Sequence, residues 1–543
     1  MTTETPRLDR SSHPSTGFPG YSLPITIVMA WCCFVYLRKR LAPSLSNIAG
    51  PSPNSFILGN IPQLISEDGY DFHTDLARNY GGVVKLHAIC GAKQLYVFDH
   101  AAMHSVLIKD EHIYNMPDAF LAANHLMFGP CLVSTSGQRH RRGRKIMNPT
   151  FSPARLREMF PILFGIAHKT NVTILEASVD SKNGETDMLH ILGTTALEFI
   201  GQAGLGHSFA ASRSGTLEGM KQLLFAAKRM IVPMQALPFL LRIAPSTFRR
   251  KLIDLVPLPD LHLARDLVDI LDKNSRAILK GKREAIAKGG SAIIEQFGQG
   301  KDAMSLLMRA DQLSEEELLG QMNVLIFAGT DTTSTAMCRC LQELARHPTI
   351  QAQLRDEVTK ADAHGDIDFD VISTLPVLDA VCKETLRMYP PAVTSSRQAS
   401  EDVMMPLSAP MIGVDNSTIT EILVPAGTIV HVGIKAANQS RVVWGPDALE
   451  WKPERWLSPL PQTVLDANIP GVYPKLMTFI GGPRGCIGFK FAEMSMKVLL
   501  VVLLKEFEFA LSNKEIVWKL GVAEAPTVEG KQSFPMLVTR IQG

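Results

Sequence analysis

The sequence reads Phe479-Ile480-Gly481-Gly482-Pro483-Arg484-Gly485-Cys486-Ile487-Gly488 immediately before a helical pattern over residues 489–504. This glycine-rich turn carries one cysteine just ahead of the predicted helix, where the partial positive charge of unpaired N–H groups favours a thiolate. Glycines let the backbone approach a flat ligand closely, the proline stiffens the turn, and Arg484 adds a fixed positive charge beside the sulfur. A sulfur held in this way is suited to binding a metal.

Every fixed position of the pattern F-x-x-G-x-R-x-C-x-G is present in this turn. The turn therefore resembles the haem-binding loop of the cytochrome P-450 (haem-thiolate monooxygenase) family, and in particular its fungal microsomal members. The resemblance implies that Cys486 is the axial ligand of the iron of haem b, and that Phe479 and Arg484 contact the cofactor. A thiolate ligand pushes electron density onto iron and favours O–O cleavage. A buried structural cysteine in a glycine-rich turn is the alternative.

Length and composition narrow the class of protein. A chain of 543 residues exceeds the usual size of one compact core, which predicts a large domain with a subdomain, or two domains. A net charge of +2 with 20% charged residues gives no indication of nucleic-acid binding. The eight cysteines form no C-x-x-C pair and no disulfide-framework spacing, which favours a reducing compartment.

The expected fold, by resemblance, is the cytochrome P-450 fold, mainly α with a smaller β-rich subdomain and an N-terminal transmembrane helix. Residues 83–87 and 94–98 are predicted as two short strands, and Asp99 can cap a helix over residues 100–109. A long, mostly helical stretch follows.

The N-terminal region predicts a membrane anchor. Residues 1–22 are polar and are expected to form a lumenal tail, and an apolar run over 23–37 precedes Arg38-Lys39-Arg40, so that residues 23–40 form the anchor and its basic stop. The positive-inside rule leaves everything after this cluster in the cytosol. A cleaved signal peptide is the alternative, because the run is short and Arg7 and Arg10 precede it.

The rest of the chain divides at the end of a linker rich in proline and glycine. Residues 41–62 are predicted to form a hinge that holds the domain at a set angle from its anchor, and residues 63–543 to form the cytosolic haem-binding monooxygenase domain. By resemblance to microsomal members of the family, the expected location is the endoplasmic reticulum membrane, which the chain crosses once.

A mainly apolar helix is predicted over residues 321–341, and it is interrupted by the sequence AGTDTT at 328–333. Glycine, threonine and aspartate are poor choices for a helix interior. The segment resembles the A/G-G-x-D/E-T-T/S motif of the family, which implies that Gly329 gives O₂ room and that Asp331 and Thr332 organise proton delivery. A capping or bulge motif in a buried helix is the alternative.

Residues 137–145 are strongly basic, and His140 and Arg144 lie on one face of a predicted helix. A solvated basic face is the simpler interpretation. The segment resembles the family's helix whose Trp and Arg bond the haem propionates, with His140 in place of Trp. The resemblance implies propionate contacts from Arg144, Arg397, Arg484 and His140, and docking of an acidic reductase by the exposed arginines.

Glu384 and Arg387 are three residues apart on one helical face. A pair at this spacing is weak evidence alone, because surface salt bridges are common. The order of the segments that follow resembles the family, which implies a buried network of Glu384, Arg387 and Arg455 with a structural role.

Residues 217–265 combine apolar runs with prolines and resemble, by position, the family's lid over the substrate cavity. Family analogy also places a mostly apolar set of residues around this cavity, without a charged anchor: Phe120, Leu126, Met127, Phe128, Phe327, Val393, Thr394 and Val522. These features are typical of a site for a small lipophilic substrate. A tailoring step in fungal secondary metabolism, on a terpenoid-like compound, is the expected role.

The predicted activity is insertion of one atom of O₂ into this substrate, with electrons from NADPH through a cytochrome reductase and cytochrome b5 as an optional second donor. An isomerase, dehydratase or peroxide user on the same scaffold remains an alternative, as does a haem-binding redox or gas sensor. A zinc-thiolate site would need four ligands, and no suitable cluster surrounds the turn in the sequence.

Overall fold

The computed structural model describes residues 45–180, 184–210, 216–243, 245–288, 302–310, 312–363, 365, 367–473 and 475–541. The predicted tail at 1–22, the anchor at 23–40 and the first residues of the predicted hinge lie outside this part of the chain. Among the residues that are described, no helix is both long enough and apolar enough to cross a bilayer.

Helices dominate the described chain. In chain order they are α1 (Ile61–Ile65), α2 (Tyr70–Asn79), α3 (His100–His104), α4 (Asp118–Phe128), α5 (Gly137–Met147), α6 (Pro153–Asp180), α7 (Met188–Glu198), α8 (Thr216–Arg229), α9 (Ile231–Met234), α10 (Leu237–Ile243), α11 (Ser246–Leu255), α12 (Pro259–Lys288), α13 (Ala303–Ala310), α14 (Glu315–Arg346), α15 (Pro348–Ala361), α16 (Phe369–Thr374), α17 (Pro376–Met388), α18 (Ile434–Asn438), α19 (Arg441–Trp444), α20 (Gln462–Asp466) and α21 (Phe489–Glu506). Two π-helical segments, Ser105–Lys109 and Phe199–Leu205, continue α3 and α7.

Short strands form small sheets beside the helices. They are β1 (Val83–His87), β2 (Lys93–Val97), β3 (Tyr114–Asn115), β4 (Glu185–Asp187), β5 (Thr394–Ala399), β6 (Val403–Ile412), β7 (Thr418–Val424), β8 (Ile429–Gly433), β9 (Phe507–Leu511), β10 (Val517–Leu520), β11 (Glu524–Val528), β12 (Lys531–Gln532) and β13 (Pro535–Arg540). The largest sheet has five strands in the order β1-β2-β8-β5-β3, and only β2 and β8 pair in parallel. A mainly helical protein with small sheets agrees with the predicted fold class.

Residues of the five-stranded sheet contribute to a second hydrophobic core, apart from the larger helical one. Leu45 and Ile48, near the start of the described chain, are each 1% exposed and belong to this second core. The backbone N–H of Lys85 donates to the carbonyl of Ala49 at 3.0 Å. Residues 45–49, in the first half of the predicted hinge, are therefore fastened to β1 and to the second core.

The longest helix, α14, runs through the helical core. Ser314 and Glu317 form a capping box at its start. Each side chain accepts a hydrogen bond from the backbone N–H of the other residue, because these N–H groups have no carbonyl partner within the helix. Most of its residues are buried, as expected for a helix packed on all sides. The helix continues unbroken through the interruption predicted at 328–333. The hydroxyls of Thr330 and Thr332 donate to carbonyls one turn back, at 2.7 and 2.8 Å.

Two glycines of the cysteine turn are required by the protein's own backbone. A Cβ atom at Gly481 would lie 1.4 Å from the carbonyl oxygen of Pro470, and one at Gly482 would lie 2.0 Å from that of Leu107. Gly482 also has a φ of +71°, which other residues rarely adopt. The sequence pattern predicted that these glycines admit a flat ligand, whereas their nearest neighbours are peptide groups.

We expect Gly481→Ala to destabilise the protein by about 1–3 kcal/mol or more, because a methyl group there overlaps a backbone oxygen that no rotamer change can move. Gly488→Ala is the matched control, since no heavy atom lies within 4 Å of its Cβ position. Urea denaturation would measure both variants. Equal midpoints for the two would contradict this account of the turn.

Candidate functional site

Cys486 lies at an accessible position inside the protein. Its backbone N–H donates to the carbonyl of Phe479 at 2.8 Å, which closes the turn just before α21. The thiol surface is accessible, yet protein surrounds it at longer range, so it borders an internal cavity. Burial raises the pKa of the Cys486 thiol, against the opposing effects of the Gly488 N–H and Arg144. The position at the start of α21 is therefore not enough to keep Cys486 deprotonated. A metal cation bound to the sulfur would stabilise the thiolate.

Four basic side chains converge beside this turn from three parts of the chain. His140 and Arg144 come from α5, Arg397 from β5 and Arg484 from the turn itself. Burial lowers the pKa of His140 to about 3, and Arg484, Arg144 and Arg397 all lower it further. His140 is therefore uncharged and shares its surroundings with three guanidinium groups.

Backbone carbonyls hold two of these guanidinium groups. Arg144 donates to the carbonyl of Gly485 at 2.6 Å, and Arg484 donates to those of Leu132 and Thr135 at 3.1 and 2.8 Å. In the described chain, no carboxylate lies within 4.0 Å of Arg144, Arg397 or Arg484.

Buried positive charge without an anion is costly. Arg397 is 3% exposed, and its guanidinium donates at 2.9 Å to the Ser395 hydroxyl and to the Ser396 carbonyl, which are both neutral. A group that carries one metal cation and two carboxylates fits this donor set, because the cation would pair with the thiolate and the carboxylates with the arginines.

The middle of α14 presents a second accessible face inside the protein. Ala328 and Thr332 are exposed, although most of the helix around them is buried. Residues four apart share one face of a helix, so this face also borders internal space.

Asp331 points away from this face. Its side chain is buried, and its Oδ2 atom has no hydrogen-bond partner in the described structure. Burial raises the pKa of Asp331 to about 7, and Lys221 acts in the opposite direction.

The structure gives Gly329 a different neighbour from the one predicted. A Cβ atom at this position would lie 3.0 Å from Cγ1 of Ile200, in the π-helical segment that follows α7. Its small size therefore allows close packing against Ile200, and the role of Gly329 in giving O₂ room stays a prediction. The residue on the exposed face is Ala328, because it precedes Thr332 by one helical turn.

Comparison with known proteins identifies the family. A family model described as Cytochrome P450 matches residues 49–520. This chain belongs to the cytochrome P450 family. It is 45% identical to cytochrome P450 monooxygenase 91 of Postia placenta, over 94% of this chain and 96% of that protein.

Two further relatives of this P450 are each 38% identical to it. One is a ganoderic acid synthetase of Ganoderma lucidum, with 94% of this chain and 96% of that protein aligned, and the other is the cytochrome P450 monooxygenase eriI of Hericium erinaceus, with 97% and 100% aligned. The protein is a cytochrome P450 monooxygenase, and its family implies a haem cofactor and a redox partner reductase. In the described chain, no group of three or more His, Cys, Asp or Glu residues could hold a metal ion.

Glu384, Arg387 and Arg455 of this P450 meet in the interior, as the resemblance implied. Arg387 binds Glu384 through two nitrogens, each at 2.8 Å, and both side chains are fully buried. Arg455 lies 3.5 Å from Glu384 and pairs with Asp447 at 2.9 Å. Glu384 also accepts hydrogen bonds from the Lys452 N–H and the Trp456 indole, at 3.0 and 2.9 Å.

This network extends to the cysteine turn through Asn438. Arg387 donates to the carbonyl of Asn438 at 2.9 Å. The Asn438 side chain accepts from the N–H of Met477 at 2.7 Å and donates to the hydroxyl of Thr478 at 2.9 Å. Phe479, whose carbonyl closes the turn on Cys486, follows directly. Asn438 was not predicted, since its role depends on contacts with residues about forty positions away.

The residues predicted to line the substrate cavity occupy several environments. The rings of Phe128 and Phe327 are in contact, with centroids 5.3 Å apart. Phe120, Leu126 and Val522 are exposed, and Met127, Val393 and Thr394 are partly buried.

A buried ion pair that the sequence did not reveal holds the turn carrying Val522. Arg339 of α14 binds both carboxylate oxygens of Glu524, at 2.8 and 2.9 Å, and the Thr335 hydroxyl donates to the Glu524 carbonyl at 2.9 Å. Because the partners are 185 residues apart, no local pattern indicates this pair.

We expect Glu384→Gln to cost about 3–5 kcal/mol, because it leaves the Arg387 charge buried without its anion. The variant should accumulate with little haem. Glu158→Gln is the control, because Glu158 forms an exposed pair with Arg155 at the same spacing, and it should change stability by about 0.5 kcal/mol or less. Haem content per protein and thermal unfolding measure the effect. Normal haem content in Glu384→Gln would exclude the structural role of the network.

Proposed function

We propose that this P450 is a membrane-anchored haem-thiolate monooxygenase that hydroxylates or otherwise oxidises a small lipophilic substrate, in a tailoring step of fungal secondary metabolism. The observation that carries the proposal is the accessible Cys486 thiol near Arg144, Arg397 and Arg484, none of which has a carboxylate within 4.0 Å among the described residues. The similarity to a ganoderic acid synthetase supports the pathway class, and a terpenoid-like substrate is consistent with the apolar residues predicted for the cavity.

Each basic residue and the thiolate would hold one part of haem b. Cys486 would bind the iron, and Arg144, Arg397, Arg484 and His140 would bind the propionates. Phe479 packs between Tyr473 and Phe489, with ring centroids 5.5 and 6.1 Å away, and would support the cofactor from the cysteine side. When bound, haem supplies the activation of O₂ and the transfer of one oxygen atom to the substrate.

Asp331 and Thr332 would manage protons. The Thr332 hydroxyl donates to the Ala328 carbonyl, so its oxygen lone pairs remain available to accept a hydrogen bond from a group in the cavity. Because the pKa of Asp331 is raised to about 7, its carboxyl holds a proton at lower pH and can release it near neutrality. The pair favours a monooxygenase over the isomerase and sensor alternatives.

The electrons would come from NADPH through a cytochrome reductase, with cytochrome b5 as an optional second donor. Exposed basic residues of α5, which include Arg139, Arg141 and Lys145, would form part of the docking surface for this acidic partner.

The proposed arrangement in the membrane has a lumenal tail (1–22), an anchor (23–40), a hinge (41–62) and a cytosolic domain (63–543) at the endoplasmic reticulum. The apolar run and the basic cluster that follows it support this topology. The burial of Leu45 and Ile48 in the second core and the hydrogen bond from the Lys85 N–H to the Ala49 carbonyl support a hinge that holds a fixed angle.

Reduced protein treated with CO should show the thiolate-type Soret band, and Cys486→Ser should lose it. Cys90→Ser, at an exposed position remote in sequence from the turn, should retain it. Absorption spectra of protein purified from cells supplied with a haem precursor measure both. A wild-type protein without this band would overturn the proposed function.

Thr332→Ala should divert electrons from product to peroxide and water, because a hydroxyl needed for proton delivery is gone. We expect the ratio of product to NADPH to fall about tenfold or more, while Thr332→Ser, which keeps the hydroxyl, should stay within about threefold of wild type. NADPH consumption and peroxide release, measured with a compound that supports turnover, give the ratio. Unchanged coupling in the alanine variant would remove Thr332 from the mechanism.

A further inference from the structure

Tyr114 of β3 carries a buried hydroxyl group without a hydrogen-bond partner in the described structure. The residue is 2% exposed, and its Oη atom is among the buried polar atoms that neither donate nor accept. The two acidic residues just before it have other partners. Asp110 accepts from the Ser105 hydroxyl at 2.6 Å, and Glu111 accepts from Arg141 at 2.9 Å. Because an unpaired buried hydroxyl is costly, this group calls for a partner from outside these contacts.

The register of the five-stranded sheet places Tyr114 beside Arg397. Tyr114 pairs with Ala399 in the antiparallel strands β3 and β5. Directly opposed residues project to the same face of a sheet, and so do residues two apart on one strand. Tyr114, Ala399 and Arg397 therefore share one face, and each is at most 3% exposed. The Cα atoms of such a diagonal pair, here Tyr114 and Arg397, are about 7–8 Å apart, which is within reach of long side chains.

Both residues line one small cavity beside the cysteine turn. The volume of this cavity is about 160 Å³, and its wall includes Tyr114, His140, Arg397 and Arg484. A site for a whole ligand typically has about 300–1,000 Å³, so this cavity suits a small polar group at the edge of a larger ligand. Among its described lining residues, Glu111 alone carries a carboxylate. The surplus of positive charge favours an anionic group.

The phenol of Tyr114 is suited to donate a hydrogen bond to such an anion. Burial raises the pKa of Tyr114, and the Asp110 carboxylate raises it further, so the hydroxyl keeps its proton at neutral pH. Arg397 donates to Ser395 and Ser396 through Nη1, and a guanidinium group has further N–H donors. A carboxylate between the two side chains would therefore accept from one neutral donor and one charged donor.

We propose that Tyr114 is a further cofactor-binding residue, whose hydroxyl donates a hydrogen bond to one haem propionate beside Arg397. The proposal rests on the proposed haem-thiolate function. It gives the buried hydroxyl a partner, and it adds a neutral donor to the four basic side chains proposed for the propionates. The ring of Tyr114 stays in the second core, where it packs already.

Tyr114→Phe tests the proposal, because phenylalanine removes the hydroxyl and keeps the ring in the second core. The full-length haem-loaded protein is mixed with excess apomyoglobin, and absorbance follows the transfer of haem. The variant should release haem about tenfold faster than wild type, as expected for the loss of a hydrogen bond to a charged group. Its resonance Raman spectrum should show a shifted propionate bending band, which a change confined to core packing would not produce.

Tyr96→Phe is the matched control from the same sheet. Tyr96 of β2 is fully buried, and its hydroxyl lies 3.2 Å from Nδ1 of His73. This variant should keep the wild-type release rate and the wild-type propionate band. Each protein is first shown to give the thiolate-type CO band, so that a negative result here leaves the haem assignment intact.

Three outcomes would overturn the role of Tyr114. The first is an unchanged release rate in Tyr114→Phe, which would mean that its hydroxyl does not hold the cofactor. The second is faster release with an unshifted propionate band, which would indicate a loosened core. The third is an equal change in Tyr96→Phe, which would show that the loss of any buried hydroxyl from this sheet has the same effect.

Discussion

The pair of hydrogen bonds between Glu384 and Arg387 is the interaction on which the site depends. Arg387 donates in turn to the backbone of Asn438, and the Asn438 side chain holds Met477 and Thr478, immediately before the cysteine turn. The sulfur is thus positioned through a chain of buried polar contacts, each of which needs the next partner in place. These contacts connect a salt bridge remote in sequence from Cys486 to the turn that carries this cysteine.

The site itself combines charges that do not balance without a ligand. The pKa of the Cys486 thiol is raised by burial, and the guanidinium groups of Arg144, Arg397 and Arg484 have no carboxylate within 4.0 Å in the described chain. A cofactor with a cationic metal and two carboxylates would satisfy both halves of this imbalance. Its binding would therefore contribute directly to the free energy of unfolding, by mass action on the folded state.

Local patterns in the sequence predicted the cysteine turn, the long helix and the partners of Glu384, because each depends on residues a few positions apart or on a motif of the family. The sequence pattern could not show which neighbouring segment each of these residues contacts. Gly329 was predicted to give O₂ room, and the pattern did not reveal that this position also packs closely against Ile200, because one step along a helix turns a residue by about 100°. Asn438 and the Arg339–Glu524 pair depend on contacts between distant segments, which no periodicity records.

Leu45 and Ile48 also limit how far the chain can be shortened from its N-terminal end. Their side chains fill part of the second core, and Ala49 supplies a hydrogen bond to the edge of β1. A truncated protein for crystallisation that begins ahead of Leu45 keeps these contacts. One that begins at Pro51 opens a hole under the five-stranded sheet and leaves the Lys85 amide to water.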